Sequence, residues 1–462
     1  MRRLILSLMA AAACLSAAAQ SAPAPYVPPV EEDVRAKLAE WQDLKFGMFI
    51  HWGAYSQWGV IESWSLCPDD IEWQYKARGD MDYFEYRNKY EGLKKTFNPV
   101  SFDPSKWAAA AAYAGMKYVV FTSKHHDGFC MFDTHQTDYK ITSEECPFHT
   151  DPRANITKEV MDAYRAQGIR TGLYFSFPDW HNNDYWWRRF PPKSNKINYD
   201  AHKHPEKWAA YQDFIAAQLD ELSNGDYGDL MLMWYDMPVT DEGRTVEYDW
   251  ERFAKIVRGN QPGMIMVGRG MKNEYENYRT PEQQIPEEAL DYPWESCITM
   301  TYSWSWRKGA QYKSAYTLLS MLVKIVSRGG NFLLNVGPNG QGELDEDAYV
   351  RLREIGDWMQ VNSDGIYATK PVKPYQEGPV YYTSKGDYVY AFYIPEEDNE
   401  VLPEQVKLGA FVPVSSRAVT LMGSKRALKW KRTEEGVVID LPASLRAKLP
   451  CDHIWGFKIK VK

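Results

Sequence analysis

Positive charge is in short supply: 54 lysines and arginines stand against 62 aspartates and glutamates, a formal net charge of −8 over 462 residues. No basic block offsets this balance, which argues against nucleic acid or an anionic membrane as the main partner. Cysteine is scarce too, six in all, and no C-x-x-C spacing occurs. Neither a zinc ribbon nor a disulfide framework is therefore indicated, although an oxidising compartment would permit one or two bridges. Beyond the first twenty residues no apolar run is long enough to cross a bilayer. No glycine-rich dinucleotide turn follows the first strand-like run, which removes the usual nucleotide-binding signature.

Two compositional features point the other way. Tryptophan and tyrosine are abundant, 18 and 31 residues, which suits stacking on the apolar faces of sugar rings as well as a large aromatic core. At the start, Arg2-Arg3, the short apolar run Leu4 to Ala13 and the small residues Ala17-Ala18-Ala19 read as an export signal cleaved near Ala19. The expected organisation is a signal peptide over residues 1–19, a Pro- and Ala-rich linker over 20–33, a catalytic domain over 34–373 and a second domain over 374–462.

The catalytic domain shows a repeating rhythm. Near-continuous apolar runs (Phe46 to Ile50, Tyr118 to Thr122, Thr171 to Phe175, Leu230 to Trp234, Ile265 to Val267, Phe332 to Val336) alternate with helical patterns. Such runs read as strands buried on both faces, and their alternation with helices predicts a parallel sheet. Polar residues gather where the strands end, so a (β/α)8-like (TIM) barrel is favoured over a doubly wound sheet. From about Pro374, short pieces that alternate or run apolar, with turns such as Lys385-Gly386-Asp387 between them, predict an all-β sandwich.

The residues at the strand exits form the candidate site: His51, His125, His126, Tyr174, Asp236, Arg269 and Glu295. Asp236 closes an apolar run, and a carboxylate there needs partners or a purpose because an isolated buried charge is costly. A helix cap or an ion pair with an arginine is the plain alternative for it. His51 also fits a core histidine, and Arg269 a structural ion pair. Together, two carboxylates with neutral donors and acceptors suit a polyhydroxylated ligand and glycoside hydrolysis. Trp294 beside Glu295 would help to exclude water and raise its pKa, as a general acid requires. Three histidines with Asp236 also resemble a zinc hydrolase, but none of these histidines forms an H-x-H pair. The expectation is therefore no metal and no cofactor.

Several longer motifs carry a family resemblance. Lys45-Phe46-Gly47-Met48-Phe49-Ile50-His51-Trp52-Gly53, the pair Glu72-Trp73, Phe121 to Phe129 with its His125-His126-Asp127-Gly128 core, and Gly330 to Pro338 occur in order. They resemble glycoside hydrolase family 29, retaining α-L-fucosidases with a (β/α)8-like domain and a C-terminal β-sandwich. The resemblance implies that Asp236 is the nucleophile and Glu295 the acid/base. It also implies that His51, Glu72, Trp73, His125, His126, Tyr174 and Arg269 line a fucose pocket, with a fucosylated glycan as substrate. Glu72, a loop glutamate beside a tryptophan, fits ligand contact, acid/base work or plain structure. Met237, Gln74 and Ser305-Trp306 depart from the family's usual residues around the site. The rival readings are a non-catalytic carbohydrate-binding protein and a metal-dependent barrel hydrolase.

Overall fold

The computed structural model describes residues 25–68, 76–236, 247–269, 271 and 273–462. The expected leader, Glu72-Trp73-Gln74 and Met237 lie outside the described residues. Seven strands form one parallel sheet: β1 Phe46–Ile50, β2 Tyr118–Lys124, β3 Arg170–Ser176, β4 Leu230–Asp236, β5 Ile265–Gly268, β6 Glu295–Thr299 and β7 Asn331–Val336. Their order is β5-β4-β3-β2-β1-β7-β6. Nearly every residue in them is buried, as continuous apolar runs demand when both faces are covered.

The gap between β5 and β6 is closed by a short piece that no apolar run announces. The Asn277 amide donates to Met266 O at 2.9 Å, Arg279 to Pro293 O at 3.0 Å, and Glu295 to Arg279 O at 2.9 Å. Further along, the Gln283 amide donates to Cys297 O at 3.0 Å. Residues 277–283 thus act as an eighth stave, and the sheet closes on itself.

Two apolar layers result. Outside the staves, helices such as Pro104–Tyr113, Ile156–Ala166, Trp250–Asn260 and Ala315–Ser327 pack on the sheet. Each starts at a side-chain cap, from Asp103, Asn155, Asp249 and Ser314. Inside, Phe49, Tyr118, Val120, Tyr174, Leu232, Trp234, Val267, Cys297 and Leu333 fill the barrel. The helix Glu32–Leu44 plugs its N-terminal end with Val34, Leu38 and Trp41, and Trp41 stacks on Tyr278 at 4.1 Å between centroids.

The C-terminal part is antiparallel throughout, as the alternating pattern predicts. One sheet holds β8 Lys370–Glu377, β9 Val380–Lys385, β10 Tyr388–Tyr393, β12 Val419–Leu421 and β15 Trp455–Lys460; the other holds β11 Gln405–Leu408, β13 Trp430–Thr433 and β14 Gly436–Asp440. A separate apolar core lies between them. This unit is tied to the helix Glu346–Asn362 and the turn after it. Trp358 Nε1 donates to Ile454 O at 2.7 Å, and Asp364 accepts from Tyr390 at 2.8 Å and from Lys458 at 2.7 Å.

Candidate active site

A cavity of about 660 Å³ opens at the C-terminal end of the barrel, where strand-exit residues converge. His51, His125, Tyr174, Asp236 and Arg269 all line it. The β2 exit is held rigidly from beneath. Lys124 is fully buried and donates to Gln218 at 2.9 Å and to Asp179 at 3.3 Å. The turn His125-His126-Asp127-Gly128 follows, with Gly128 at φ +80°, where a Cβ would meet Asp179 Oδ1 at 2.1 Å. Only glycine fits there, and this fixes where the two histidines point. Asp127 is pinned by the Tyr90 hydroxyl at 2.9 Å.

Asp236 ends β4 and is 6 % exposed. The Tyr174 hydroxyl donates to its Oδ2 at 2.8 Å, and Arg269 Nη1 donates to its Oδ1 at 2.9 Å. Burial pushes this carboxyl up, but Arg269, His126 and Tyr174 outweigh it and hold the pKa below the ordinary aspartate value. The group is therefore a fixed carboxylate at neutral pH. Arg269 also bridges to Glu282 through Nη2.

The histidines are neutral and their tautomers follow from their partners. Asn335 spends its amide nitrogen on Trp304 O at 2.7 Å, so its Oδ1 accepts from His51 Nδ1 at 2.7 Å. Ser176 gives its single hydrogen to Pro178 O at 2.6 Å, so its oxygen accepts from His126 Nδ1 at 2.6 Å. Both rings keep Nε2 as an acceptor, and that of His51, on the cavity wall, suits a sugar hydroxyl. His126 lies just behind the cavity surface, with Nε2 3.6 Å from Asp236 Oδ2. His125 Nδ1 pairs with Ser63 Oγ at 2.6 Å, and its ring stacks on Tyr174 at 5.4 Å. Burial, the largest cause, lowers the pKa of His51 to about 3 and of His126 to about 4.

Glu295 is elsewhere, which corrects the expectation that it stands at a strand exit. It opens β6, paired with Asn331 at the start of β7, and accepts from Tyr118 at the start of β2. That is the opposite end of the staves from His51 and Asp236. Side chains on one strand face recur every second residue, so Cys297 reaches the cavity wall while Glu295 lies about 7 Å deeper. Glu72 and Trp73, expected in the pocket, fall outside the described residues.

Two glutamates that the sequence reading did not select do line the cavity. Glu282 stands at the exit of the closing stave, its side chain 31 % exposed. Glu62 is 1 % exposed and accepts the Ser305 amide at 2.6 Å; burial raises its pKa to about 7. Trp64, Trp234 and Trp304 complete the apolar walls. Ser305 makes a second link to the loop of Glu62 by donating to Val60 O at 2.8 Å, whereas Trp306 turns away to Asp345 at 2.9 Å. His125, His126 and Asp236 offer donor atoms within 4.8 Å of one another, a grouping compatible with a metal. The Asp236 oxygen nearest His126, Oδ2, already accepts from Tyr174, and Arg269 on Oδ1 meets the carboxylate's charge, so the group has its partners without an ion.

Comparison with known proteins gives one consistent answer. The family model for α-L-fucosidase matches residues 13–364, and that for the α-L-fucosidase C-terminal domain matches 373–460. The chain is 29 % identical to an α-L-fucosidase of Branchiostoma floridae over 94 % of its own length and 96 % of the relative's. It is 28 % identical to the human tissue α-L-fucosidase, over 92 % and 90 %. Among solved structures, α-L-fucosidase isoenzyme 1 from Paenibacillus thiaminolyticus superimposes with a TM-score of 0.76 at 29 % identity, covering 93 % of this chain and all of that one. The Thermotoga maritima α-fucosidase in complex with fucose gives 0.70 at 25 % identity, covering 93 % and 100 %. The matched models span both the barrel and the sandwich, and the chain belongs to the α-L-fucosidase family, glycoside hydrolase family 29.

Proposed function

We propose that this glycoside hydrolase, a retaining α-L-fucosidase, removes terminal α-L-fucose from fucosylated glycans with Asp236 as nucleophile and Glu282 as acid/base. The observation that carries the assignment is Arg269, which bridges the two carboxylates across one cavity. Asp236 is ionised, buried and oriented by two donors, as a nucleophile requires. Glu282 is partly exposed, on the side from which a glycan leaving group extends into solvent. In the first step an Asp236 oxygen bonds to the anomeric carbon while the glycosidic bond breaks, and Glu282 protonates the departing oxygen. In the second, Glu282 takes a proton from water, the water oxygen bonds to the anomeric carbon, and the Asp236 ester is released. His51, His125 and His126, as neutral rings, together with Tyr174 and Arg269, bind the sugar hydroxyls, and the pair Glu72-Trp73 belongs to the same proposed set. The fucose complex of the Thermotoga maritima relative supports this reading of the cavity. The export signal read in the sequence over residues 1–19 supports export; no helix among the described residues is long and apolar enough to cross a membrane.

Glu62 is the second reading for the acid, favoured by its burial and its pKa of about 7. Its tie to the Ser305 amide in a closed joint between loops speaks for a structural duty instead. The variants separate them. Glu282→Ala is expected to slow hydrolysis of a natural fucosyl oligosaccharide by roughly 10²–10⁴-fold, to spare the first step on an activated aryl fucoside, and to form α-fucosyl azide when azide is added. The same pattern from Glu62→Ala, with Glu282→Ala unresponsive to azide, would reverse the assignment.

A further inference from the structure

The barrel floor holds a carboxyl group that the reaction does not use directly. Glu295 is fully buried, and among the described residues no lysine, arginine or histidine stands within ion-pairing distance of it. Two neutral groups satisfy it: Trp234 Nε1 donates to Oε1 at 3.1 Å, and the Tyr118 hydroxyl, 2.5 Å from Oε2, donates to the ionised group and accepts the proton of the neutral acid. Tyr118 reaches this place because Gly47 lies opposite it in β1, where a Cβ would sit 2.6 Å from the ring. Below, the Trp41 plug closes the layer to solvent. An ionised group here would cost several kcal/mol, and burial accordingly raises the Glu295 pKa to about 7, so the acid is largely neutral at mildly acidic pH.

What the group holds is the underside of the site. The Trp234 indole lines the cavity and stacks on Tyr174 at 5.5 Å with 21° between planes, and the Arg269 guanidinium lies 6.0 Å from its ring. Tyr174 and Arg269 are the two donors that grip Asp236, one on each oxygen. We propose that Glu295 is a positioning residue for the fucosidase reaction: by accepting the Trp234 Nε1 hydrogen bond it fixes the indole on which Tyr174 and Arg269 rest, and through them the orientation of Asp236. The inference rests on Asp236 as nucleophile. It replaces proton transfer by Glu295 with a mechanical duty, and it explains why a neutral acid occupies a place that an apolar side chain would fill without a desolvation cost.

Three variants test it: Glu295→Gln, Glu295→Leu and Trp234→Phe. Glutamine keeps an oxygen for Trp234 Nε1, so kcat/KM is expected within about threefold of the wild type and the acid limb of its pH profile unmoved. Leucine removes the acceptor. A loss of about 10- to 100-fold in kcat/KM is expected, equal for an aryl fucoside and a fucosyl oligosaccharide, with the acid limb moved to higher pH and no rescue by azide. Trp234→Phe lacks the donor and is expected to move the limb in the same direction, with little further effect from Glu295→Leu in the double variant. If the leucine variant does not fold, the glutamine and phenylalanine variants decide alone. Wild-type rates and limb in Glu295→Leu or an unmoved limb in Trp234→Phe overturn the proposal. A glutamine variant slow only on poor leaving groups and rescued by azide overturns it as well. Failure of the Asp236 reading is recognised separately, by a covalent fluoro-fucosyl label that maps to another residue of the wild type.

Discussion

Replacing Tyr174 with phenylalanine deletes one oxygen and leaves the ring. The stacks on His125 and Trp234 persist, at 5.4 and 5.5 Å, so the change isolates the hydrogen bond to Asp236 Oδ2 at 2.8 Å. Both partners are buried, and a hydrogen bond to a charged group in such a place contributes roughly 1.5–3 kcal/mol. The donor favours the ionised form, so its loss destabilises the carboxylate relative to the acid. At about 1.4 kcal/mol per pKa unit, the Asp236 pKa is expected to rise by about one to two units. Because Asp236 acts ionised, the acid limb of kcat/KM moves up by that amount. The assay is kcat/KM against pH with an aryl α-fucoside, each point checked by returning the enzyme to pH 6. Arg269 keeps its hold on Oδ1, so activity survives on the plateau, reduced by about 10-fold or more. An acid limb that stays in place, or moves down, refutes the claim that Tyr174 holds Asp236 in its charged state.

Two further outcomes are expected. Glu62→Gln keeps an acceptor for the Ser305 amide but removes a carboxyl whose folded pKa is raised to about 7. The folded state binds that proton more tightly than the unfolded chain, so wild-type stability falls as pH rises from the ordinary glutamate range through 7. The variant is therefore expected to gain on the order of 1–3 kcal/mol relative to wild type between pH 5 and 8, read as a growing difference in Tm; a constant difference contradicts it. Prolonged chelation is expected to leave activity unchanged, because Arg269 already meets the Asp236 charge and Tyr174 its second oxygen, so the carboxylate beside His125 and His126 is partnered without an ion. Activity lost to chelator and restored by a divalent cation refutes that reading.

Much of the barrel is legible in the sequence for a physical reason. A strand covered on both faces must be apolar along its length, so Phe46–Ile50 and Leu230 to Trp234 stand out, and the polar residue that ends each run marks the exit. His51 and Asp236 follow from that rule. Glu295 shows its limit. A carboxylate at either end of a short buried strand has the same local sequence, and only register, here with Asn331 and Tyr118, tells entrance from exit. Glu282 was hidden because the stave that carries it needs few ladder bonds and reads Tyr278-Arg279-Thr280-Pro281, with no apolar run. In the sandwich, β14 alternates and β9, β10 and β15 carry short buried runs, while β8 and β13 lie mostly exposed and carry no such signal.

The central claim, covalent catalysis by Asp236, is tested most directly by trapping. A 2-deoxy-2-fluoro-fucosyl fluoride slows both steps but leaves the first faster, so an ester should accumulate on the nucleophile. Mass spectrometry of the digested enzyme is expected to find one fluoro-fucosyl group on Asp236, and hydrolysis of a normal substrate to release α-fucose first. A label on any other residue, or β-fucose as the first product, contradicts the account.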